Sequence, residues 1–162
     1  MDYIEIPLSR GLVARIDKAD EERVCAFKWF ALQPNGPGGN FYAATRIGHW
    51  TGPTTYLHNF LMGKKPGFCI DHKNLDSLDC RKENMRFGTK LQNNVNKNKR
   101  RQHNGKPCTS KYKGVHYMKT CGKWRAKVAR IHIGVCENEI DAAKAYDKKA
   151  IEMYGEFANP NF

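Results

Sequence analysis

Short apolar runs separated by polar breaks fill the first third of the chain. The runs YIEIPL, GLVARI, VCAFKWFAL and FYAATRI have the length and the β-branched or aromatic content of strands. The segment PNGPGGN (34–40) separates the last two runs, and its glycines, prolines and asparagines are typical of turns. We therefore expect residues 1–55 to form a small β-rich region.

The middle of the chain predicts a short helix and then a strand–loop–strand–helix unit. TYLHNFLMG has the pattern of a helix that ends at Gly63. FCIDH and MRF have the pattern of two short strands, joined by a polar loop over residues 73–84. Thr89 and Gln92 fit a capping box, in which the two side chains bond backbone donors at the start of a helix.

The last third of the chain predicts strands followed by one long helix. SKYKGVHYM and GKWRAKVARIHIG have strand patterns, and ENEIDAAKAYDKKAIEMYG has a helical pattern that ends at Gly155. The helix positions that follow the apolar spacing are Ile140, Ala143, Tyr146 or Asp147, Ala150 and Met153. In GKWRAKVA the side chains alternate between an apolar and a basic face, which hold Trp124, Ala126 and Val128 on one side and Lys123, Arg125 and Lys127 on the other.

These elements predict an α+β protein built from four segments. We expect a β-rich region over residues 1–55, a ββα unit over 56–97, a basic linker over 98–110, and a three-stranded antiparallel sheet packed on one helix over 111–162. The linker, NKNKRRQHNGKPCTS, is poor in apolar residues, so we expect it to become ordered only on a partner.

The charge of the chain indicates a polyanionic partner. It carries 28 basic and 16 acidic residues, a net charge of +12, and no Asp or Glu occurs between Glu83 and Glu137. A merely solvated surface rarely excludes one sign over such a length, so we expect double-stranded DNA as the partner. No stretch approaches the roughly eighteen apolar residues of a membrane span, so no membrane is expected. Six cysteines without a CxxC pair or a secretory signal indicate reduced thiols in the cytoplasm, with their role left open.

Asp71 and His72 stand side by side at the end of a predicted strand, which neither a core nor a surface loop requires. The strand, loop, strand and helix bring Asp71, His72, Asn84 and Asn93 toward one hollow. Carboxylate and amide oxygens, from Asp71 and Asn93, suit Mg²⁺ or another divalent ion such as Mn²⁺. Neighbours on a strand face opposite sides, so His72 is left to take a proton from water as a general base.

The stretch FCIDHKNLDSLDCRKENMRFGTKLQNN resembles the HNH endonuclease family, whose ββα-metal motif is built around an Asp-His pair. The resemblance implies that Asp71 and Asn93 bind metal and that His72 is the base. It also implies that Asn84 bonds across the loop and holds the segment of His72. The expected activity is Mg²⁺-dependent hydrolysis of phosphodiester bonds in duplex DNA, as in homing or free-standing phage endonucleases, and so in a bacterial host cell.

Two further residues join this site as catalytic candidates. TTYLHNFLMG is similar to the LHR-type segment that precedes the motif in phage members, which adds His58, and Arg86 follows Asn84 closely in ENMR. This chain departs from the family pattern at Asn59, where Arg is usual, and at Cys80, where Asn is common.

Residues 110–162 resemble the apetala-type (ethylene-response-factor) DNA-binding domain. The matching stretches are YKGV, GKWRA, IHIG and DAAKAYDKKAIEMYGEFANPNF. The resemblance implies sequence-specific DNA binding through the sheet, with DNA-facing residues at Lys113, His116, Arg125, Lys127, Arg130 and His132. The alternation adds Lys123 to this set, and the linker adds the phosphate contacts Lys99, Arg100 and Arg101.

Two other functions stay open at this stage. The chain could be a sequence-specific DNA-binding regulator that keeps an inactive nuclease fold. It could also bind single strands or RNA, with Tyr112, Tyr117 and Trp124 as stacking platforms. The expected helix-facing position of Trp124 argues against the latter, because a buried ring does not stack on bases. The oligomeric state is open, with a monomer favoured.

Overall fold

The computed structural model describes residues 2–48, 51–99, 102–103 and 106–162. The strands within them are β1 (Tyr3–Pro7), β2 (Val13–Asp17), β3 (Phe30–Leu32), β4 (Tyr42–Arg46), β5 (Thr54–Tyr56), β6 (Cys69–His72), β7 (Met85–Gly88), β8 (Gln102–His103), β9 (Lys106–Pro107), β10 (Val115–Met118), β11 (Lys123–Val128) and β12 (Ile131–Cys136). The helices are α1 (Glu21–Cys25), α2 (Leu57–Met62), α3 (Lys90–Asn96) and α4 (Glu139–Tyr154).

The chain is a mixed α+β protein with several small antiparallel sheets. The pairs are β1–β2, β6–β7 and β8–β9, and the three-stranded sheets are β3–β4–β5 and β10–β11–β12. The chain divides into two compact units, an N-terminal unit (Met1–Lys90) and a C-terminal unit (Leu91–Phe162). Among the described helices, none has both the length and the apolar content that a membrane crossing needs.

The core of the N-terminal unit gathers apolar residues from its strands and from α1 and α2. Ile16, Val24 and Leu57 are fully buried there. The expected strand VCAFKWFAL was wrong in its first half, because Val24 and Cys25 belong to α1 and only Phe30–Leu32 is extended. Acidic residues in the first turn favour this helix. The short helix that ends at Gly63 was confirmed as α2.

The C-terminal unit packs the sheet β10–β11–β12 on α4, as expected. Val115 and Ala126 contact Ala142 and Ala143, and a second cluster of Val128, Tyr146 and Ala150 continues that interface along the helix. The predicted buried stripe was confirmed at Ala143, Tyr146, Asp147 and Ala150, and it was wrong at Ile140 and Met153. Ile140 has 48% of its surface exposed and Met153 has 36%, because the apolar spacing continues past the part of the helix that the sheet covers.

The last residues of the chain are tied to α4 by a buried carboxylate. Asp147 accepts hydrogen bonds from the backbone N–H and side-chain Nδ2 of Asn161, both at 2.8 Å, and from the Phe162 N–H at 3.1 Å. The Asn161 amide in turn bonds both backbone groups of Lys113, accepting from its N–H at 2.6 Å. One carboxylate and one amide therefore join the helix, the chain end and the turn before β10.

The segment expected to be an irregular linker is ordered over part of its length. The strands β8 and β9 pair within it, and the Thr109 hydroxyl accepts a hydrogen bond from the Tyr117 N–H at 3.0 Å. Ser110 is buried, and its hydroxyl accepts from the Tyr112 N–H at 2.9 Å. Ser and Thr hydroxyls can hold a backbone without apolar burial, which is why the composition did not reveal this order.

Gly114 offers a sharp test of the packing of the sheet on the helix. It has φ +74°, and a Cβ there would collide with the ring of Tyr146 and lie 2.7 Å from the Lys127 carbonyl oxygen. We expect Gly114→Ala to lower the free energy of unfolding of the C-terminal unit by about 3 kcal/mol, from a strained backbone and overpacking together. Gly134→Ala is the matched control, since a Cβ at Gly134 meets nothing within 4 Å. Equal losses in chemical denaturation would contradict this packing.

Candidate functional site

The sheet of the C-terminal unit turns one face away from α4, and we call it the outer face. Its members alternate with the residues that pack on the helix, and the cross-strand register pairs His116 with Arg125 and Lys127 with His132. The outer face consists of His116, Met118, Lys123, Arg125, Lys127, His132 and Val135. The expected split of β11 is confirmed, because Trp124, Ala126 and Val128 belong to the helix-facing clusters.

A buried nitrogen on the outer face has no hydrogen-bond partner. Within the described part of the chain this atom is Arg125 Nε, while the His116 ring lies close to the Val115 backbone. Burial, and then the nearby charges of Lys99, Lys127 and Arg125, lower the pKa of His116 below its ordinary value. Arg125 and Lys127 carry several N–H donors and no acceptor, so this face is suited to a ligand that supplies acceptors.

The remaining DNA-binding candidates around the sheet differ in their exposure and in the groups they contact. Arg130 is exposed in the turn between β11 and β12. The Lys123 ammonium lies 2.6 Å from Glu137 in an exposed ion pair. Lys99 donates to the Val115 carbonyl at 3.5 Å, and burial lowers its pKa. Arg100 and Arg101 lie outside the described residues.

Lys113 is placed differently from the expectation of a DNA-facing side chain. Its ammonium donates to the backbone carbonyls of Val95 and, at 2.6 Å, of Lys97. Burial lowers the pKa of Lys113 to about 8. These carbonyls lie at the end of α3, where four carbonyls have no partner within the helix, so Lys113 acts as a cap there. A contact with DNA stays a prediction for this residue.

Sequence reasoning did not find Val135 on the outer face. Val135 pairs with Arg125, and 44% of its surface is exposed. A register shift between Ala126 and Lys127 separates the two halves of the β11–β12 pair, so the partner of each residue could not be read from alternation alone.

In the N-terminal unit, β6 and β7 form the expected hairpin around Asp71 and His72. Both residues are buried, and Asp71 pairs in register with Arg86. The Asp71 carboxylate accepts a hydrogen bond from Arg86 Nε at 2.9 Å, and the second guanidinium nitrogen lies 2.9 Å from the same oxygen. Arg86 therefore holds Asp71 in one orientation.

His58 of α2 lies against His72. Their ring centroids are 5.5 Å apart and the rings are perpendicular, while the Tyr56 ring stacks on the other side of His58 at 5.5 Å. Burial, reinforced by the charge of His72, lowers the pKa of His58 to about 4. Burial also lowers the pKa of His72, although Asp71 opposes the shift. Both imidazoles are therefore held in the neutral form at neutral pH.

The loop between β6 and β7 is held by Asn84 and Asp79. The Asn84 side chain accepts from the Asn74 N–H at 3.0 Å and donates to the Asp79 carbonyl at 2.8 Å, so it spans the loop. The buried Asp79 carboxylate accepts from Arg81 Nε at 2.8 Å and from the Asn74 amide at 2.9 Å. These bonds from Arg81 lower the pKa of Asp79. Asp79 was not predicted, since an Asp in a polar loop gives no distinct signal.

Asp71, His72 and Asn84 belong to the N-terminal unit, and Asn93 lies in α3 within the C-terminal unit. Asp71 and Asn93 offer a carboxylate and an amide oxygen, and this donor chemistry fits Mg²⁺. Among the described residues, no group of three or more His, Cys, Asp or Glu side chains is placed so that it could hold a metal ion. The magnesium site and its pair of ligands stay a prediction.

Comparison with known proteins finds similarity to one kind of protein. No family model matches the chain, and no solved structure does. The APETALA2-like protein 2 of Oryza sativa subsp. indica and that of subsp. japonica are each 38% identical to it over 60 residues. This match covers 33% of the chain and 14% of each relative, so the chain spans only a small part of their length.

The capping position of Lys113 can be separated from DNA binding by substitution. We expect Lys113→Met to lower the free energy of unfolding by about 1–2 kcal/mol, because two carbonyls lose a charged donor. The salt dependence of duplex binding should stay the same. Lys127→Met is the matched control, for which we expect a lower salt slope and little change in stability. A reduced salt slope with full stability in Lys113→Met would show that Lys113 contacts DNA and does not cap α3.

Proposed function

We propose that the protein binds duplex DNA sequence-specifically through the outer face of its C-terminal sheet. The observation that carries the proposal is the row of basic side chains on one face of the sheet, where His116 pairs with Arg125 and Lys127 pairs with His132 across the strands. A β-sheet can enter the major groove, where guanine presents two acceptors that suit an arginine. Lys127 and Arg130 supply charge for the phosphates on either side.

Two further features support binding to specific sequences. The exposed Val135 lies opposite Arg125, and an apolar side chain in this position suits contact with a thymine methyl group. The similarity to the APETALA2-like proteins agrees with the resemblance of residues 110–162 to the apetala-type domain. A DNA-binding regulator needs nothing beyond this surface.

Arg125→Ala tests the outer face as the surface that recognises sequence. We expect a loss of ~1–3 kcal/mol on a duplex selected from a random-sequence library, and a relaxed preference at one or two base pairs. A scrambled duplex should lose much less. The measurement is binding to both duplexes across a salt series.

Lys144→Ala is the matched control for this experiment. Lys144 is exposed on α4, on the opposite side of the unit from the outer face, so its loss should leave sequence preference unchanged. If Arg125→Ala weakened the selected and the scrambled duplex equally, the sheet would contact phosphates alone. The determinant of specificity would then lie elsewhere.

A second candidate function is cleavage of the bound DNA by the β6–β7 hairpin. It is supported by the buried Asp71 beside Arg86, by the neutral His72, and by Asn84 across the loop. We infer that His72 takes the proton of a water molecule whose oxygen bonds to the scissile phosphorus. One P–O bond breaks, and the leaving oxygen takes a proton from solvent. A regulator with an inactive hairpin is the alternative.

The residues around this hairpin have distinct tasks in such a reaction. The Asp71 carboxylate would hold a magnesium ion, which would stabilise negative charge on the phosphate oxygens. Arg86 orients the Asp71 carboxylate, and Asn84 fixes the turn that follows His72. His58 packs on the His72 ring and keeps water away from one of its faces.

His72→Ala distinguishes a nuclease from a regulator. We expect it to reduce nicking of supercoiled plasmid in Mg²⁺ by ~10²–10⁴-fold, with unchanged affinity for duplex DNA. Lys73→Ala is the control, because Lys73 is exposed and only its backbone N–H bonds Asn84. An unmodified protein that binds the selected duplex but never nicks it would reject the nuclease and retain the regulator.

A further inference from the structure

A cleft of about 730 Å³ opens in the N-terminal unit beside the two histidines. Its lining comes from the β3–β4 loop, from β4 and β5, from α2, and from the turn and strand that follow α2. His58 belongs to this lining, and the same ring lies 5.5 Å from that of His72. His58 therefore both lines the cleft and contacts the candidate base.

Aromatic rings form the walls of this cleft. Tyr42 and Tyr56 lie edge to face with centroids 5.8 Å apart, and the ring of His58 stacks on Tyr56. Phe68 also lines the cleft, with 43% of its surface exposed. An exposed ring of this size within a concave site is suited to stacking on a flat ligand.

Basic side chains line the same cleft. Lys64 and Lys65 are exposed in the lining, and the Lys65 ammonium lies 4.5 Å above the Phe68 ring. Among the described residues that line the cleft, none is acidic. The amides of Asn35 and Asn59 add groups that both donate and accept hydrogen bonds. The aromatic rings, basic side chains and amides together are suited to bind a nucleobase and its phosphate.

We propose that this cleft binds an unstacked nucleotide of single-stranded DNA. The base stacks on Phe68 against the tyrosine wall, and its phosphate is held by Lys64 and Lys65. Stacking on aromatic rings and attraction of the backbone to cations are the two interactions that bind single strands without sequence preference. The inference rests on the proposed function in making DNA the ligand, and it extends that function to a strand released from the duplex.

Photo-cross-linking locates the contact directly. The probe is a short oligothymidine with one central 5-iododeoxyuridine, irradiated with the full-length protein, and the cross-linked peptide is identified by mass spectrometry. We expect the cross-link on the peptide that contains Phe68, or on Tyr42 or Tyr56. Cross-links confined to residues 111–136 would overturn the proposal.

Two substitutions at Phe68 separate stacking from simple apolar contact. Phe68→Leu keeps an apolar side chain without a π face, so we expect cross-linking at the cleft to disappear and oligothymidine affinity at this site to fall on the order of tenfold. Phe68→Trp should retain both. Oligothymidine binding by Phe68→Leu at the level of the unmodified protein would reject the nucleotide and favour an apolar ligand or a peptide.

Charge is tested independently of Phe68. We expect the double change Lys64→Ala and Lys65→Ala to lower the salt slope of oligothymidine binding by about 0.7 for each lost phosphate contact. Lys18→Ala is the control, because Lys18 is exposed in the same unit and does not line the cleft. An unchanged slope in the double variant would contradict the phosphate contact.

These results are distinguishable from failure of the proposed function. Duplex binding that depends on Arg125 should survive in all cleft variants, because Arg125 belongs to the other unit. Loss of duplex binding in the Arg125 variant with an intact cross-link at Phe68 would retain the cleft. Intact duplex binding without any cross-link in the N-terminal unit would reject the cleft alone.

Discussion

The C-terminal unit depends on one buried carboxylate. Asp147 accepts three hydrogen bonds from Asn161 and Phe162, and Asn161 passes the constraint on to Lys113. Burying a carboxylate costs free energy unless its oxygens accept hydrogen bonds. The hydrogen bonds to Asp147 therefore hold Asn161 and Phe162 against the helix. Because Lys113 directly precedes Gly114 and β10, the same bonds also fix the entry of the sheet. The orientation of the outer face therefore follows from a contact on the opposite side of the unit.

The N-terminal unit uses the same device in a different place. Asp79 satisfies its buried carboxylate with Arg81 and Asn74, and Asn84 closes the loop from its other end. A loop of polar residues offers little apolar surface to bury, so hydrogen bonds to a few buried oxygens give it one conformation. His72 owes its fixed position to this loop, just as the outer face owes its orientation to Asp147. Both candidate sites are therefore held in place by buried polar groups whose hydrogen bonds are made within the same unit.

The spacing of apolar residues predicted the strands and helices that have a hydrophobic face. The conformation of the remaining segments depends on polar contacts. The strands around Asp71 and Trp124 and the helix that ends at Gly155 follow from apolar spacing, and the basic face of β11 follows from alternation. Val24 was assigned to a strand, because an apolar run of that length is compatible with either state. The order around Ser110 and the role of Asp79 come from hydrogen bonds between residues of loop-like composition. Such bonds depend on the fold and leave no period in the sequence.

The long run of basic residues was expected to favour DNA as a partner. The described basic residues between Glu83 and Glu137 differ in their surroundings. Lys113 bonds two carbonyls at the end of α3, and Lys99 bonds a third carbonyl on β10. Both lose hydration and have a lowered pKa, so they contribute to structure as hydrogen-bond donors. Arg125, in contrast, keeps a buried nitrogen without a partner among the described residues. The number of basic residues in a span therefore does not equal the number of cations available to a partner, because some of them already donate to backbone carbonyls.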